Sequence, residues 1–168
     1  LTAHYKAITD EMRLVANHFG CDKLIQVEEP KFFDEYDQIV ETYGLRPALR
    51  AKHFFEENHV VETAIQALKN GDMCTFIAMV NKSGDSSLTQ LQNCSTGDGD
   101  TVIPDAIALA RQICPSCGCR VHGGGFAGTI LAVVPTAETA NFVQKMAEKY
   151  GENSAYVLKA RALGATVL

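Results

Sequence analysis

The spacing of apolar residues predicts that most of this chain is helical. Apolar side chains recur at intervals of three and four residues, which places them on one face of a helix, and glycines close several of these stripes. We expect the helices to begin at Asp10, Asp72 and Thr136, whose side chains can accept hydrogen bonds from the first backbone amides. The predicted helices cover residues 10–20, 30–44, 47–70, 72–80, 103–110 and 136–151.

The pattern changes to short apolar runs in the last third of the chain. Residues 129–134 are rich in β-branched side chains and are followed by Pro135, which predicts a buried strand. A shorter strand is expected over residues 119–122 and an alternating one over residues 155–162. The order of helices and strands predicts an α+β fold with an antiparallel sheet and helices on one face. The length of 168 residues fits a single domain.

Two polar stretches interrupt the apolar pattern. Residues 81–100 are rich in Ser, Gly, Asn and Asp, and we expect them to form a long loop. Helix 47–70 also carries a polar face, which we interpret mainly as a solvated surface, with lining of a ligand site as the alternative. That face consists of Arg50, His53, Glu56, Glu57, Asn58 and His59.

Composition limits the classes of partner. The chain has 15 basic and 20 acidic residues, a net charge of −5 and no basic run, which argues against nucleic acid and anionic membranes. It has no apolar segment of membrane-spanning length and no signal-peptide pattern, so we expect a cytoplasmic protein. A neutral or metal-complexed small ligand fits this composition better. Because the first residue is Leu1 and not Met, we expect a fragment or a processed chain.

Three closely spaced cysteines suggest two alternatives. Cys114, Cys117 and Cys119 have a spacing seen in zinc sites, and His122 follows as a candidate fourth ligand. No second Cys-x-x-Cys pair occurs in the sequence, and six scattered cysteines do not form a dense disulfide framework. We therefore favour reduced cysteines in a turn over a zinc site and expect no bound metal.

The segment between the two predicted strands contains four glycines in six residues. It lacks the Lys-Ser or Lys-Thr of a Walker motif, and a strand follows it, which excludes a dinucleotide fingerprint. Two explanations remain equally open, namely close packing of another backbone against the glycines and an anion-binding loop. The segment consists of Gly123, Gly124, Gly125, Phe126, Ala127 and Gly128.

Four stretches of the chain resemble one enzyme family. Residues 120–129, Arg-Val-His-Gly-Gly-Gly-Phe-Ala-Gly-Thr, are similar to the third glycine-rich motif of GHMP small-molecule kinases in the form seen in bacterial galactokinases. Residues 51–58 resemble the galactokinase helix that carries a His and a Glu-Asn pair. Residues 83–88, followed by residues 91–93, resemble its Ser-rich segment, and residues 1–8 resemble the segment with a sugar-contacting Tyr. The resemblance covers most of the chain.

The resemblance implies the ferredoxin-like C-terminal domain of a GHMP kinase, here of a galactokinase. Such enzymes transfer the γ-phosphoryl group of ATP, with Mg²⁺, to the anomeric hydroxyl of galactose. It also implies that Tyr5 contacts the sugar and that the loop from Gly123 to Gly128 packs beside the phosphate-binding loop. The catalytic Asp and the ATP-binding loop belong to the N-terminal half of the family and are missing from this sequence. We therefore expect the chain alone to be inactive, to contain no catalytic residue and to bind neither ATP nor Mg²⁺.

Two other functions stay open at this point. One is a stand-alone α+β module that binds a small anion or regulates another protein, and the other is a GHMP kinase for a different sugar. A surface that normally contacts an N-terminal half would be exposed in this chain. We therefore also expect self-association through apolar contacts.

Overall fold

Seven α-helices and two short strands form the part of the chain that the structure, a computed structural model, describes, namely residues 1–97 and 99–159. Short 3₁₀ turns cover Leu24–Gln26 and Thr136–Glu138, and a π-helical turn covers Ser87–Leu91. The helices and strands, in chain order, are α1 (Thr2–His18), α2 (Glu29–Asp34), α3 (Tyr36–Tyr43), α4 (Leu45–Lys69), α5 (Met73–Ser86), α6 (Val102–Ile113), β1 (Gly118–Val121), β2 (Ile130–Val133) and α7 (Thr139–Tyr150).

The first core lies among the helices α1 to α4. Val15, Phe32 and Ile39 are fully buried, and Phe55 of α4 is nearly so. The rings of Phe32 and Phe55 lie 4.8 Å apart, at a distance typical of favourable aromatic contacts. This core holds α1 against α4 and thereby fixes where the start of α1 lies.

The second core lies between the sheet and the last helices. β1 and β2 are antiparallel, with Cys119 opposite Ala132. The side chains of Cys119 and Val121 are buried with Ile107 of α6 and Phe142 of α7, so these helices cover one face of the sheet. The antiparallel sheet and its covering helices confirm the predicted α+β fold.

Helix α5 packs along β1 and hydrogen-bonds with it. The Asn81 side chain accepts from the Cys119 amide at 2.9 Å and donates to the Cys117 carbonyl at 3.0 Å. Close approach is required here, because a Cβ atom at Gly84 would lie 2.6 Å from the Cys119 oxygen. These bonds satisfy backbone groups of β1 that its pairing with β2 leaves free.

Several predicted helices have different bounds. The last one begins at Thr139, after the 3₁₀ turn over Thr136–Glu138, and not at Thr136. The first begins at Thr2 and not at Asp10, whose exposed carboxylate pairs with Lys6 one turn earlier in the same helix. The helix predicted over residues 30–44 is two helices that meet at Glu35. The carboxylate of Glu35 lies 3.0 Å from His18 Nε2 of α1 at this break.

The predicted loop over residues 81–100 is wrong for its first half. Helix α5 continues to Ser86, and the π-helical turn follows it. Ser83 donates to Glu57 of α4, and Ser86 lies 2.7 Å from His53 Nδ1. The polar composition of this stretch suggested a loop. These polar side chains instead face polar partners on α4, and the sequence alone does not show such a pairing.

The strand predictions also need correction in part. β2 is only partly buried, since 40% of Leu131 is exposed. Of the strand predicted over residues 155–162, residues 155–159 have no strand assignment, and the remainder lies outside the described residues. Among the helices that the structure describes, none is both long and apolar enough to cross a membrane.

Candidate functional site

The glycine loop, residues 122–129, links β1 to β2 through a strained backbone. Gly123, Gly125 and Gly128 have φ values of 61°, 82° and 79°. Phe126 also has a positive φ of 57°, which is uncommon for a bulky residue, and its side chain is buried. Such conformations persist where surrounding contacts enforce them, so the contacts of this loop matter.

The middle glycines of the loop leave room for two other segments. A Cβ atom at Gly124 would lie 2.9 Å from the ring of Tyr5. A Cβ atom at Gly125 would overlap the backbone oxygen of Asn93 and lie 2.8 Å from its side-chain nitrogen. A Cβ atom at Gly123, by contrast, would meet nothing within 4 Å. Close packing therefore accounts for the middle of the loop, and its start faces open space.

Tyr5 reaches the loop from α1. Its hydroxyl donates to the Gly125 carbonyl at 2.6 Å, although the two residues are 120 positions apart. Its ring meets the Phe126 ring edge-on at 5.3 Å. Tyr5 is 37% exposed, and a hydroxyl that donates one hydrogen bond keeps the capacity to accept another. The structure thus brings together the two site features that the sequence predicted.

Asn93 is a part of this site to which sequence reasoning assigned no role. Its side chain donates to the Gly124 carbonyl at 3.2 Å, and its backbone oxygen accepts from the Phe126 amide at 2.8 Å. Only 2% of Asn93 is exposed. The one available signal was its position at the end of the Ser-rich segment, and that gives no hint of its partners.

A polar cavity of about 350 Å³ opens beside this cluster. Its lining includes His4, Gln92, Ser95 and Phe126. The His4 ring lies 5.3 Å from the Phe126 ring, so α1 and the glycine loop share this wall. The volume is in the range of small-molecule sites, and the lining offers both hydrogen-bonding groups and an aromatic surface.

Arg50 also borders the cavity but is already paired. It is 4% exposed, donates to the Glu11 carboxylate at 2.8 Å and donates through Nε to the Leu91 carbonyl at 3.0 Å. Arg46 donates to the same carboxylate. Glu11 therefore neutralises part of the positive charge at this wall, and Arg50 holds the end of the π-helical turn.

The polar face of α4 is not simply a solvated surface. Asn58 and His59 are exposed as expected, but Arg50 and His53 are buried, which contradicts the solvated interpretation for these two. Burial lowers the pKa of His53, which favours its neutral form beside Ser86. These residues join α4 to α5 and the π-helical turn.

The cysteines before β1 belong to the second core. Cys114, Cys117 and Cys119 are at most 1% exposed, and all six cysteines of the chain are free. Burial raises the pKa of Cys117 to about 11 and that of Cys119 to about 12, which opposes the thiolate form that zinc requires. Within residues 1–97 and 99–159, no group of three His, Cys, Asp or Glu side chains is placed to hold a metal ion.

Comparison with known proteins gives consistent relatives. No protein-family profile matches this chain. A galactokinase of Glaesserella parasuis is 30% identical over 154 residues, which are 89% of this chain and 38% of that protein. A galactokinase of Lacticaseibacillus casei is 31% identical over 127 residues, which are 73% of this chain and 31% of that protein. Over most of its length the chain is thus similar to galactokinases.

A solved galactokinase structure supports the fold. The galactokinase of Lactococcus lactis, solved in complex with galactose, aligns with a TM-score of 0.67 and 21% identity over 92% of this chain and 38% of that one. The resemblance noted in the sequence is thereby confirmed, including the fold of a galactokinase C-terminal domain. The chain spans between 31% and 38% of the length of these galactokinases.

Proposed function

We propose that this chain is the C-terminal part of a kinase that transfers the γ-phosphoryl group of ATP to the anomeric hydroxyl of galactose. The observation that carries the proposal is the hydrogen bond from Tyr5 to Gly125, which joins the two family motifs in one site. The similarity to galactokinases over 89% of the chain supports it. The proposal treats residues 1–168 as one domain that works in the cytoplasm.

In this proposal the two motifs have different roles. Tyr5 contacts the sugar, and the partial exposure of this residue supports that role. The loop from Gly123 to Gly128 packs beside a phosphate-binding loop of the N-terminal part. The open space next to Gly123 leaves room for another backbone there.

The chemistry depends on positioning and on neutralising charge. ATP donates the phosphoryl group, and Mg²⁺ neutralises charge on the phosphates when it is bound. We propose that the catalytic Asp and the ATP-binding loop come from the N-terminal part of the galactokinase. The described chain supplies one wall of the site and is inactive by itself.

The test uses the natural protein that carries this chain. ADP release is measured with galactose, with glucose and without sugar, in the presence of ATP and Mg²⁺. We expect release with galactose, and we expect Tyr5→Phe to raise the KM for galactose severalfold because the loss of one hydrogen bond weakens binding. Tyr43→Phe, which removes a hydroxyl near His18 in the helical core, is the matched control.

Two results would overturn the proposal. Phosphorylation of another sugar but not of galactose would indicate a GHMP kinase of different specificity. Saturable micromolar binding of inorganic phosphate to this chain alone in calorimetry, without kinase activity of the natural protein, would indicate a stand-alone anion-binding module.

We also propose that this chain self-associates when it is produced alone. Ile25, Leu45 and Leu68 are 71%, 58% and 50% exposed, and exposed apolar side chains promote association. Light scattering is expected to give a mass above the 18.2 kDa of one chain at micromolar concentration. A uniform monomer would contradict this prediction.

A further inference from the structure

We propose that Asn93 is a positioning residue that sets the conformation of the glycine loop for phosphoryl transfer. The inference rests on the proposed function and adds a residue that the family motifs do not identify as part of the site. Asn93 is almost fully buried and bonds the loop twice, through its side chain to Gly124 and through its backbone to Phe126. It therefore determines where the centre of the loop lies.

The shape of the loop matches Asn93 closely. Gly125 packs directly against the Asn93 backbone, where a Cβ atom would overlap the carbonyl oxygen. The residues on this surface, Gly125 and Phe126, have φ values of 82° and 57°. A loop that only needed to turn would require neither this contact nor a buried amide. The unusual backbone and Asn93 thus form one unit.

The position of Asn93 is itself fixed by helix α4. The π-helical turn ends at Leu91, and Gln92, which follows it, has the left-handed conformation. The amides of Gln92 and Asn93 both donate to the Ser87 carbonyl, at 2.9 and 3.4 Å. Arg50 of α4 holds the Leu91 carbonyl at the end of the same turn. Asn93 consequently connects α4 to the glycine loop.

A second side chain holds the neighbouring carbonyl of the glycine loop by a hydrogen bond. Tyr5 of α1 donates to Gly125, and Asn93 donates to Gly124. Two adjacent carbonyls are thus held from two different elements, which restricts rotation of the peptide between them. Loss of either hydrogen bond should leave the other in place. The effects of the two losses on the conformation of the loop should therefore not be additive.

The first experiment measures hydrogen exchange in residues 122–129 of this chain. We expect Asn93→Ala to raise exchange in this segment about tenfold or more while exchange in α4 stays unchanged. In Asn93→Asp a protonated carboxyl can donate to Gly124 and an ionised one cannot. Protection in Asn93→Asp, corrected for intrinsic exchange, is therefore expected to fall as the pH rises, and that in Asn93→Ala to stay constant. Gln92→Asn is the matched control, because it keeps an amide and asparagine tolerates the left-handed conformation.

The second experiment measures kinetics in the natural protein. A shift of about 1 Å in a positioning group can lower the rate of a reaction about 100-fold. We expect Asn93→Ala to lower kcat roughly 10- to 100-fold while the KM for galactose changes less than about twofold. The double variant Tyr5→Phe with Asn93→Ala is expected to depart from the product of the single effects.

The outcomes separate this inference from the proposed function. Unchanged exchange of residues 122–129 in Asn93→Ala overturns the inference whether or not the natural protein is a kinase. Increased exchange with an unchanged kcat also overturns it, because Asn93 then has only a structural role. Absence of galactose phosphorylation by the unmodified natural protein overturns the proposed function, and with it the catalytic meaning of the Asn93 contact.

Discussion

The two ends of β1 carry the two most conspicuous motifs of the sequence, and they differ sharply in structure. Before the strand lie Cys114 and Cys117, which are buried among apolar side chains of the second core. After it lies the glycine loop, whose backbone is held by polar groups from distant segments. Four residues of strand separate a core element from a candidate ligand site.

The difference shows that burial and partners decide what a motif does. The cysteine spacing suggested a metal, but the thiols have apolar surroundings and raised pKa values. The glycine spacing left packing and ligand binding equally open. Close packing explains the glycines at Gly124 and Gly125, whereas Gly123 faces open space, where packing within this chain does not explain the glycine.

The largest effect is expected from Gly125→Ala. The new methyl group would overlap the Asn93 carbonyl, and the residue would need a φ of 82°, which alanine rarely adopts. We expect a loss of about 3 kcal/mol in the free energy of unfolding of this chain and loss of kinase activity in the natural protein. Urea unfolding and ADP release measure the two effects.

Gly123→Ala is the matched control for that variant. It also has a positive φ, 61°, but its Cβ atom would meet no neighbour within 4 Å. Backbone strain alone should then cost about 1 kcal/mol. Equal losses in the two variants would show that contact with Asn93 contributes nothing to the need for glycine at residue 125.

A smaller effect is expected from Cys119→Ser. Cys119 is fully buried within the second core, so a hydroxyl there loses its hydration. We expect a loss of about 2 kcal/mol in unfolding free energy. Cys119→Ala, which adds no polar group, should lose less, and Cys74→Ser on the exposed side of α5 should be close to neutral. A neutral Cys119→Ser would show that this position tolerates a polar group and is not part of a dry core.

The elements of this fold were largely predictable from periodicity. Helix α4 was expected over residues 47–70 and covers Leu45–Lys69, because its stripe is long and glycines flank it. The cap at Asp72 is confirmed, since its carboxylate accepts from the Thr75 amide at 3.0 Å. Both strands around the glycine loop were placed to within one residue at each end.

The candidate site was predictable only through family resemblance. Local patterns singled out the glycines, but Tyr5 is 120 residues away and had no local signal. Asn93 lies in a polar stretch that suggested a loop, and its contacts are tertiary. Arg50 and His53 looked like surface residues because their burying partners, Glu11 and Ser86, lie on other segments. Sequence periodicity describes one element at a time and cannot show such pairs.

Alkaline pH should lower the stability of the core that contains the cysteines. In the unfolded chain a thiol has a pKa of about 8.5, whereas burial raises the pKa of Cys117 to about 11 and that of Cys119 to about 12. The unfolded state therefore loses these protons at lower pH than the folded state does. The contribution of the buried thiols to the free energy of unfolding is fully present below about pH 8.5 and is lost as the pH rises toward 12. Urea unfolding at pH 7.5 and 10 is expected to show the decline, with a smaller slope in Cys119→Ala. Equal slopes in both proteins would contradict the raised pKa of Cys119.

The smallest effect is expected from added zinc. Cys117 precedes β1 and His122 follows it, so about 16 Å of extended chain separates them at roughly 3.3 Å per residue, too far to share one ion. His122 is also exposed while the cysteines are buried. Binding would require ionised thiols in an apolar core, which the raised pKa values of Cys117 and Cys119 oppose. One equivalent of zinc should therefore shift the Tm of the reduced chain by less than about 1 °C, within the range of a null effect. A rise in Tm that saturates at one equivalent of zinc and is lost in Cys117→Ala would show that the cysteines bind metal. The contrast between the two ends of β1 would then disappear.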